Sequence, residues 1–166
     1  MEKGQTACFT GHRSQKLPWK FNEEDERCLK MKQVLKEKLI SAIERGYETF
    51  ISGMALGFDM ICVETLLELK KRYNNIKIIG ALPCRNQYKK WQDSQVKRYK
   101  KLLEQLDDVH CENEEYTGKQ CMLDRNRYMV DNSSMLIALF NGLPGGTKST
   151  IDYAKKCGLE VEILKP

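Results

Sequence analysis

Short apolar runs, bounded by glycine, proline or polar turns, alternate along the chain with segments whose apolar residues recur at helical spacing. The runs are unbroken rather than polar at every second position, which suits strands buried on both faces, as in a parallel sheet. Together these observations predict an α/β fold, a Rossmann-like three-layer sandwich with a mainly parallel sheet. With 166 residues, 41% of them hydrophobic, and 11 glycines, the chain has the size and core of a single domain covering residues 1–166.

The elements follow in order. Thr6–Thr10 reads as a strand ending in Gly11-His12-Arg13. A helix follows with Asn22 as its N-cap and acids in its first turn; Met31, Leu35, Leu39 and Ile43 form its apolar stripe and Gly46 closes it. Thr49–Ile51 is the next strand, Ser52–Gly57 the turn after it, and Phe58–Tyr73 a helix with Ile61, Thr65 and Leu69 on one face. Ile76–Leu82 is a continuous apolar strand stopped by Pro83. Trp91–Leu106 is helical and Val109–Cys111 a short strand, after which a polar loop through Tyr116, Thr117 and Gly118 leads to a helix from Cys121 to about Asp131. Met135–Phe140 is the most apolar strand, Leu143–Gly146 a turn, Lys148–Lys156 a helix stopped by Gly158, and Leu159–Leu164 the last strand.

Composition narrows the function classes. The longest uncharged stretch, Asn132–Thr147, is broken by Asn, Ser, Gly and Pro and falls short of the roughly 20 apolar residues a membrane span needs. Met1-Glu2-Lys3-Gly4 has no apolar segment behind it, so a cytoplasmic location without membrane attachment is expected. The seven cysteines include no C-x-x-C pair and the two histidines, His12 and His110, lie far apart, so neither a disulfide framework nor a metal site is expected, and no cofactor is implied. A net charge of +5 favours anionic ligands without demanding nucleic acid. The lysine-rich stretches Lys30–Lys38 and Lys89–Lys101 read as solvated helix faces. A homo-oligomer is compatible with the sequence.

In a parallel sheet, ligands bind beyond the carboxyl ends of strands, where helix N-termini direct their amides outward. Four segments there hold unusual residues. Gly11-His12-Arg13 joins a turn-forming glycine to two side chains that could meet a phosphate or carboxylate. Ser52, Gly53 and Gly57 give the second loop the composition of a phosphate cradle, though not the G-x-G-x-x-G fingerprint. Asp59, in the helical turn that follows, could hold a ribose hydroxyl or complement the helix dipole. The third loop, around Gly145, Gly146 and Thr147, opens a helix as an anion cradle; Thr147 stands where a P-loop requires glycine before its lysine. In the fourth segment Met122, Met129 and Val130 read as the buried face, leaving Arg125 and Asn126 free to point elsewhere, with Arg125 able to neutralise a phosphate.

Taken in order, Gly11-His12-Arg13, Ser52-Gly53-x-Ala55-Leu56-Gly57-x-Asp59, Arg125-Asn126-x-x-Met129-Val130-Asp131 and Gly145-Gly146-Thr147 resemble the YpsA-like family of the SLOG superfamily, over about Gly4 to Val161. The superfamily groups LOG-type proteins with the DprA/Smf proteins, and the resemblance implies a Rossmann-like fold that binds nucleotides or nucleotide-derived ligands. In LOG phosphoribohydrolases the matching helix reads M-x-x-R-K-x-x-M; Met122, Arg125 and Met129 fit it, with Asn126 in place of the lysine. Their P-G-G-x-G-T-x-x-E segment puts Asp152 at the catalytic acid if Pro144-Gly145-Gly146 is aligned, and Thr150 there if Gly146-Thr147 is aligned. N-glycosidic hydrolysis needs an acid or base near the anomeric carbon, so the second alignment removes it. The DprA branch has a counterpart of Arg125-Asn126-Arg127 and implies single-stranded DNA, yet these glycine loops offer no aromatic stacking platform.

The expectation is a domain that binds a nucleotide-derived small molecule (a nucleotide, ADP-ribose or a cyclic relative) for sensing, signalling or sequestration. Its ligand-binding residues would be Gly11, His12, Arg13, Ser52, Gly53, Gly57, Asp59, Arg125, Asn126, Gly145, Gly146 and Thr147. A phosphoribohydrolase using Arg125 and Asp152 is the alternative, and a single-stranded DNA module the second alternative; the modest basic excess argues against a nucleic-acid surface.

Overall fold

The chain enters its sheet at the centre. In the computed structural model, which describes residues 1–166, Thr6–Gly11 (β1) pairs with Thr49–Ser52 (β2) on one side and Met135–Leu139 (β5) on the other. Lys77–Leu82 (β3) and Asp108–Cys111 (β4) extend the sheet beyond β2, and Glu160–Leu164 (β6) extends it beyond β5. The order is β4-β3-β2-β1-β5-β6 and every pairing is parallel, a stricter outcome than the mainly parallel sheet expected. The reason is burial: β1, β2 and β5 are covered on both faces, and such strands need helical crossovers rather than hairpins.

Two cores flank the sheet. Glu26–Glu44 (α1), Phe58–Lys70 (α2) and Asp93–Leu103 (α3) pack with Phe9, Phe50, Ile78 and Ile137 on one face. Lys119–Asp131 (α4) and Gly146–Lys156 (α5) pack with Cys8, Ile51, Leu136 and Ala138 on the other. Alternate residues of one strand serve opposite cores, the period-two consequence of the pleat. In α1 the stripe Met31, Leu35, Leu39 and Ala42 is buried, while Ile43 is only partly covered. All seven cysteines are free, and Cys157, just past α5, is the exposed one.

Some boundaries differ from the sequence reading. Asn22 caps no helix; its side chain accepts the Glu24 N–H inside the preceding turns, and Asp25 caps α1 by accepting the Arg27 N–H at 2.9 Å. The helices α2 and α3 are shorter than expected, and α5 begins two residues earlier, at Gly146. The Lys89–Lys101 stretch is not wholly a solvated face: Arg98 donates to Glu23 at 2.7 Å and pairs with Glu64, tying α3 to α2 and to the segment before α1. No helix is long and apolar enough to cross a membrane.

Gly57 precedes α2 with φ of +94°, and a Cβ there would lie 2.9 Å from the Ser14 backbone nitrogen. Gly46 has φ of +102° with nothing within 4 Å, so alanine there meets conformational strain alone. Gly46→Ala is expected to lower stability by about 1–2 kcal/mol. Gly57→Ala should cost about 1–3 kcal/mol more, since a backbone neighbour cannot rotate away; urea unfolding of the two variants measures the difference.

Candidate functional site

The strand order reverses at β1, because the chain leaves it toward β2 and returns to its other side as β5. Loops leaving such neighbours in opposite directions open a crevice at their carboxyl ends. A cleft of about 540 Å³ lies there, lined by the loop after β1, the loop after β5, the first turn of α5 and one side of α4.

The end of β1 supplies Gly11, and the loop after it supplies His12, Arg13 and, from the short turn Ser14–Lys16, Lys16. The imidazole of His12 is nearly buried and its Nε2 accepts the Asn141 N–H at 3.1 Å, so Nε2 carries no proton. That bond ties the two loops flanking the switch point, and the ring also stacks on Phe140. Burial foremost, then the Lys16 ammonium, push the His12 pKa below its ordinary value. Arg13 and Lys16 are exposed on the cleft side and make no ion pair.

The second loop lies mainly beneath the cleft. Ser52 is fully buried; its hydroxyl donates to the Asp59 carbonyl at 3.1 Å and accepts the Met54 N–H, which fixes the loop. Gly53 and Gly57 also stand outside the lining, and Asp59 and Ala55 are the residues of this loop that reach it. A Cβ on Gly53 would lie 2.6 Å from Arg125 Nη1 and 2.9 Å from Asp59 Oδ2, so this glycine is the gap in which two buried charges face each other. Burial pushes the Asp59 carboxyl up, while Arg125 and the Ala55 N–H pull in the opposite direction.

Arg125 corrects the sequence reading. It is not free beside an apolar stripe but belongs to the buried face of α4 with Cys121, Met129 and Val130, and is 5% exposed. Its Nη1 donates to the carbonyls of Gly53 at 2.6 Å and Ala81 at 3.2 Å, and its Nε donates to Asn126 Oδ1 at 2.8 Å. The guanidinium thus joins the carboxyl ends of β2 and β3, and only its outer edge and Asn126 face the cleft.

In the third loop Gly145, Gly146 and Thr147 all line the cleft, and the last two form the opening turn of α5. The amides of a first helical turn have no partner within the helix. Thr147 is 6% exposed and its hydroxyl makes no hydrogen bond within the protein. Thr150 donates its hydroxyl to the Gly146 carbonyl. Asp152 lies outside the cleft, its side chain 59% exposed and paired with Lys148 at 2.7 Å. No three His, Cys, Asp or Glu side chains are grouped so as to hold a metal ion. Lys16 and Asn141 were missed in the sequence; adjacency to a strand end was their one signal, and a lysine in a turn carries no mark of direction.

Two outcomes follow from this geometry. Arg125→Ala strands the Asp59 carboxylate and two carbonyls, and is expected to lower global stability by about 3–5 kcal/mol in denaturant melts. His12 in the unfolded chain titrates near 6.5, whereas in the fold it stays neutral to lower pH. The stability it gives is therefore complete above about pH 6.5 and is lost as pH falls through the lower folded value. Melting temperatures at pH 7.5 and 5.5 should differ more for the parent protein than for His12→Gln.

Comparison with known proteins agrees with this architecture. The YspA SLOG family matches residues 7–161. The SPbeta prophage-derived protein YoqJ of Bacillus subtilis is 33% identical over 138 residues, covering 74% of this chain and 81% of that protein. Among solved structures, DNA processing protein A of Helicobacter pylori, described for its single-stranded DNA binding mode, superposes with a TM-score of 0.66 at 20% identity over 97% of this chain and 65% of that one. DNA processing protein A of Streptococcus pneumoniae gives 0.64 at 17% identity, over 97% of this chain and 50% of that one. A family match over nearly the whole sequence, joined to a relative one-third identical, establishes that the chain belongs to the YspA SLOG family.

Proposed function

We propose that the cleft binds a nucleotide-derived small molecule, with a phosphate group seated at the first turn of α5. The observation that carries this reading is Thr147: a nearly buried residue whose hydroxyl has no protein partner, beside free helix amides, on the wall of a cleft that Arg13 and Lys16 also line. Amides and hydroxyl give direct hydrogen bonds to phosphate oxygens, the helix dipole adds attraction, and the two unpaired cations supply charge. Arg125 serves as support rather than as the phosphate ligand, since its best donors are committed to carbonyls. Sensing, signalling and sequestration are all compatible with such a site. Phosphoribohydrolase chemistry through Asp152 is less supported, because that carboxylate points away from the cleft into a surface ion pair.

The likeness to DNA processing protein A favours a second reading, in which the same edge holds single-stranded DNA. The two differ in electrostatics. A track along many phosphates releases many counterions and weakens steeply with salt, whereas a cleft holding one or two phosphates does not.

In a thermal-shift panel of AMP, ADP-ribose and cyclic nucleotides, a ligand at a hundred times its dissociation constant should add roughly 2.7 kcal/mol of stability. Lys16→Glu should reduce that shift, and Lys100→Glu with Lys101→Glu on α3 should leave it unchanged. Titration with a mononucleotide and a short single-stranded oligonucleotide at two salt concentrations separates the readings. Tight, steeply salt-dependent oligonucleotide binding without a mononucleotide response establishes the second.

A further inference from the structure

The floor of the cleft holds two polar side chains whose hydrogen-bonding capacity is half used. Asp59 is 7% exposed, and its Oδ2 accepts the Ala55 N–H at 3.2 Å while Oδ1 has no protein partner. It is the one carboxylate that lines the cleft. Asn126 accepts the Arg125 Nε–H on Oδ1 at 2.8 Å, which fixes the amide and leaves both Nδ2 hydrogens without a protein partner. The nearest acceptor to Arg125 Nη2 is the Met122 sulfur at 3.7 Å, a weak one.

An acceptor and donors therefore line the same cleft, the carboxylate nearly buried and the amide half-buried. A phosphate over Asp59 would meet like charge, and an apolar group would leave the carboxylate without a partner. Hydroxyl groups suit the floor, because each both donates and accepts. Resting on the nucleotide reading above, we propose that Asp59 and Asn126 form a sugar subsite that takes the vicinal 2′- and 3′-hydroxyls of a ribose and selects ribonucleotides over 2′-deoxyribonucleotides. Asp59 accepts from the sugar and Asn126 donates to it, while the phosphate sits at the α5 end of the cleft. A 2′-deoxy sugar removes one partner and leaves a buried polar group unmatched, which is how sites built for a hydroxyl reject analogues that lack it.

Isothermal titration of the full chain with AMP, dAMP and inorganic phosphate tests this. AMP should bind at least about tenfold more tightly than dAMP. Asp59→Asn should bring that ratio close to one, chiefly by weakening AMP, with phosphate binding retained. Because Asp59 also balances Arg125, Asn126→Ala provides a second variant that keeps a strong helix former on α4, and it should lower the ratio severalfold in a chain that melts cooperatively. Equal affinity for AMP and dAMP in the parent protein overturns the sugar subsite and leaves the nucleotide reading standing. A ratio unchanged in the folded variants overturns it as well, by placing the discrimination elsewhere. Absence of binding by all three probes overturns both readings.

Discussion

A buried guanidinium organises the carboxyl edge of the sheet. Arg125 reaches from α4 on one face to the terminal carbonyls of β2 and β3, and Asp59 from α2 on the other face answers its charge across Gly53. Neither charge could be buried alone, since removing an ion from water costs several kcal/mol even after relaxation. The pair is thus a condition on the sequence: glycine between the charges, a short acid at the start of α2 and an arginine one helical turn past Cys121. Each condition also shapes the cleft, because the floor is what remains of the two side chains after their structural bonds are made.

The walls obey different physics. His12 holds the β1 loop to the β5 loop through one hydrogen bond that requires a neutral ring. The α5 turn needs no side-chain support, as its amides are fixed by the helix that follows. Arg13 and Lys16 are exposed cations without an ion-pair partner, each worth little until an anion displaces solvent between them. The groups that would read a ligand are held by hydrogen bonds or by a helix, and those that would attract one stand free in solvent.

The fold was largely legible, because unbroken apolar strands and helical stripes are written in local sequence. Helix ends were less so: Asn22 and Asp25 are both good caps, and tertiary packing of the turn around Trp19 decides between them. Nine of the twelve residues named as ligand-binding, Arg125 among them, line the cleft. Ser52, Gly53 and Gly57 serve the loop's architecture instead. Arg125 was misread as free because a buried arginine leaves no trace in a hydrophobic pattern; only the carbonyl ends that it satisfies, 72 and 44 residues away, reveal its place. Asp152 falls on the exposed side of α5, where it pairs with Lys148.

The return of the chain from β4 to β5 has a further consequence. Strands β1 to β4 are laid down as successive neighbours, so that half of the sheet needs only short-range crossovers. The other half is joined to it by one passage across three strands, and the cleft lies at that seam, with its β1 wall in the first half and its β5 and α5 walls in the second. Contacts of such sequence separation carry a larger loop-closure cost than those between successive strands. A ligand held in the cleft would therefore tie the two halves of the sheet together, because the walls come from both.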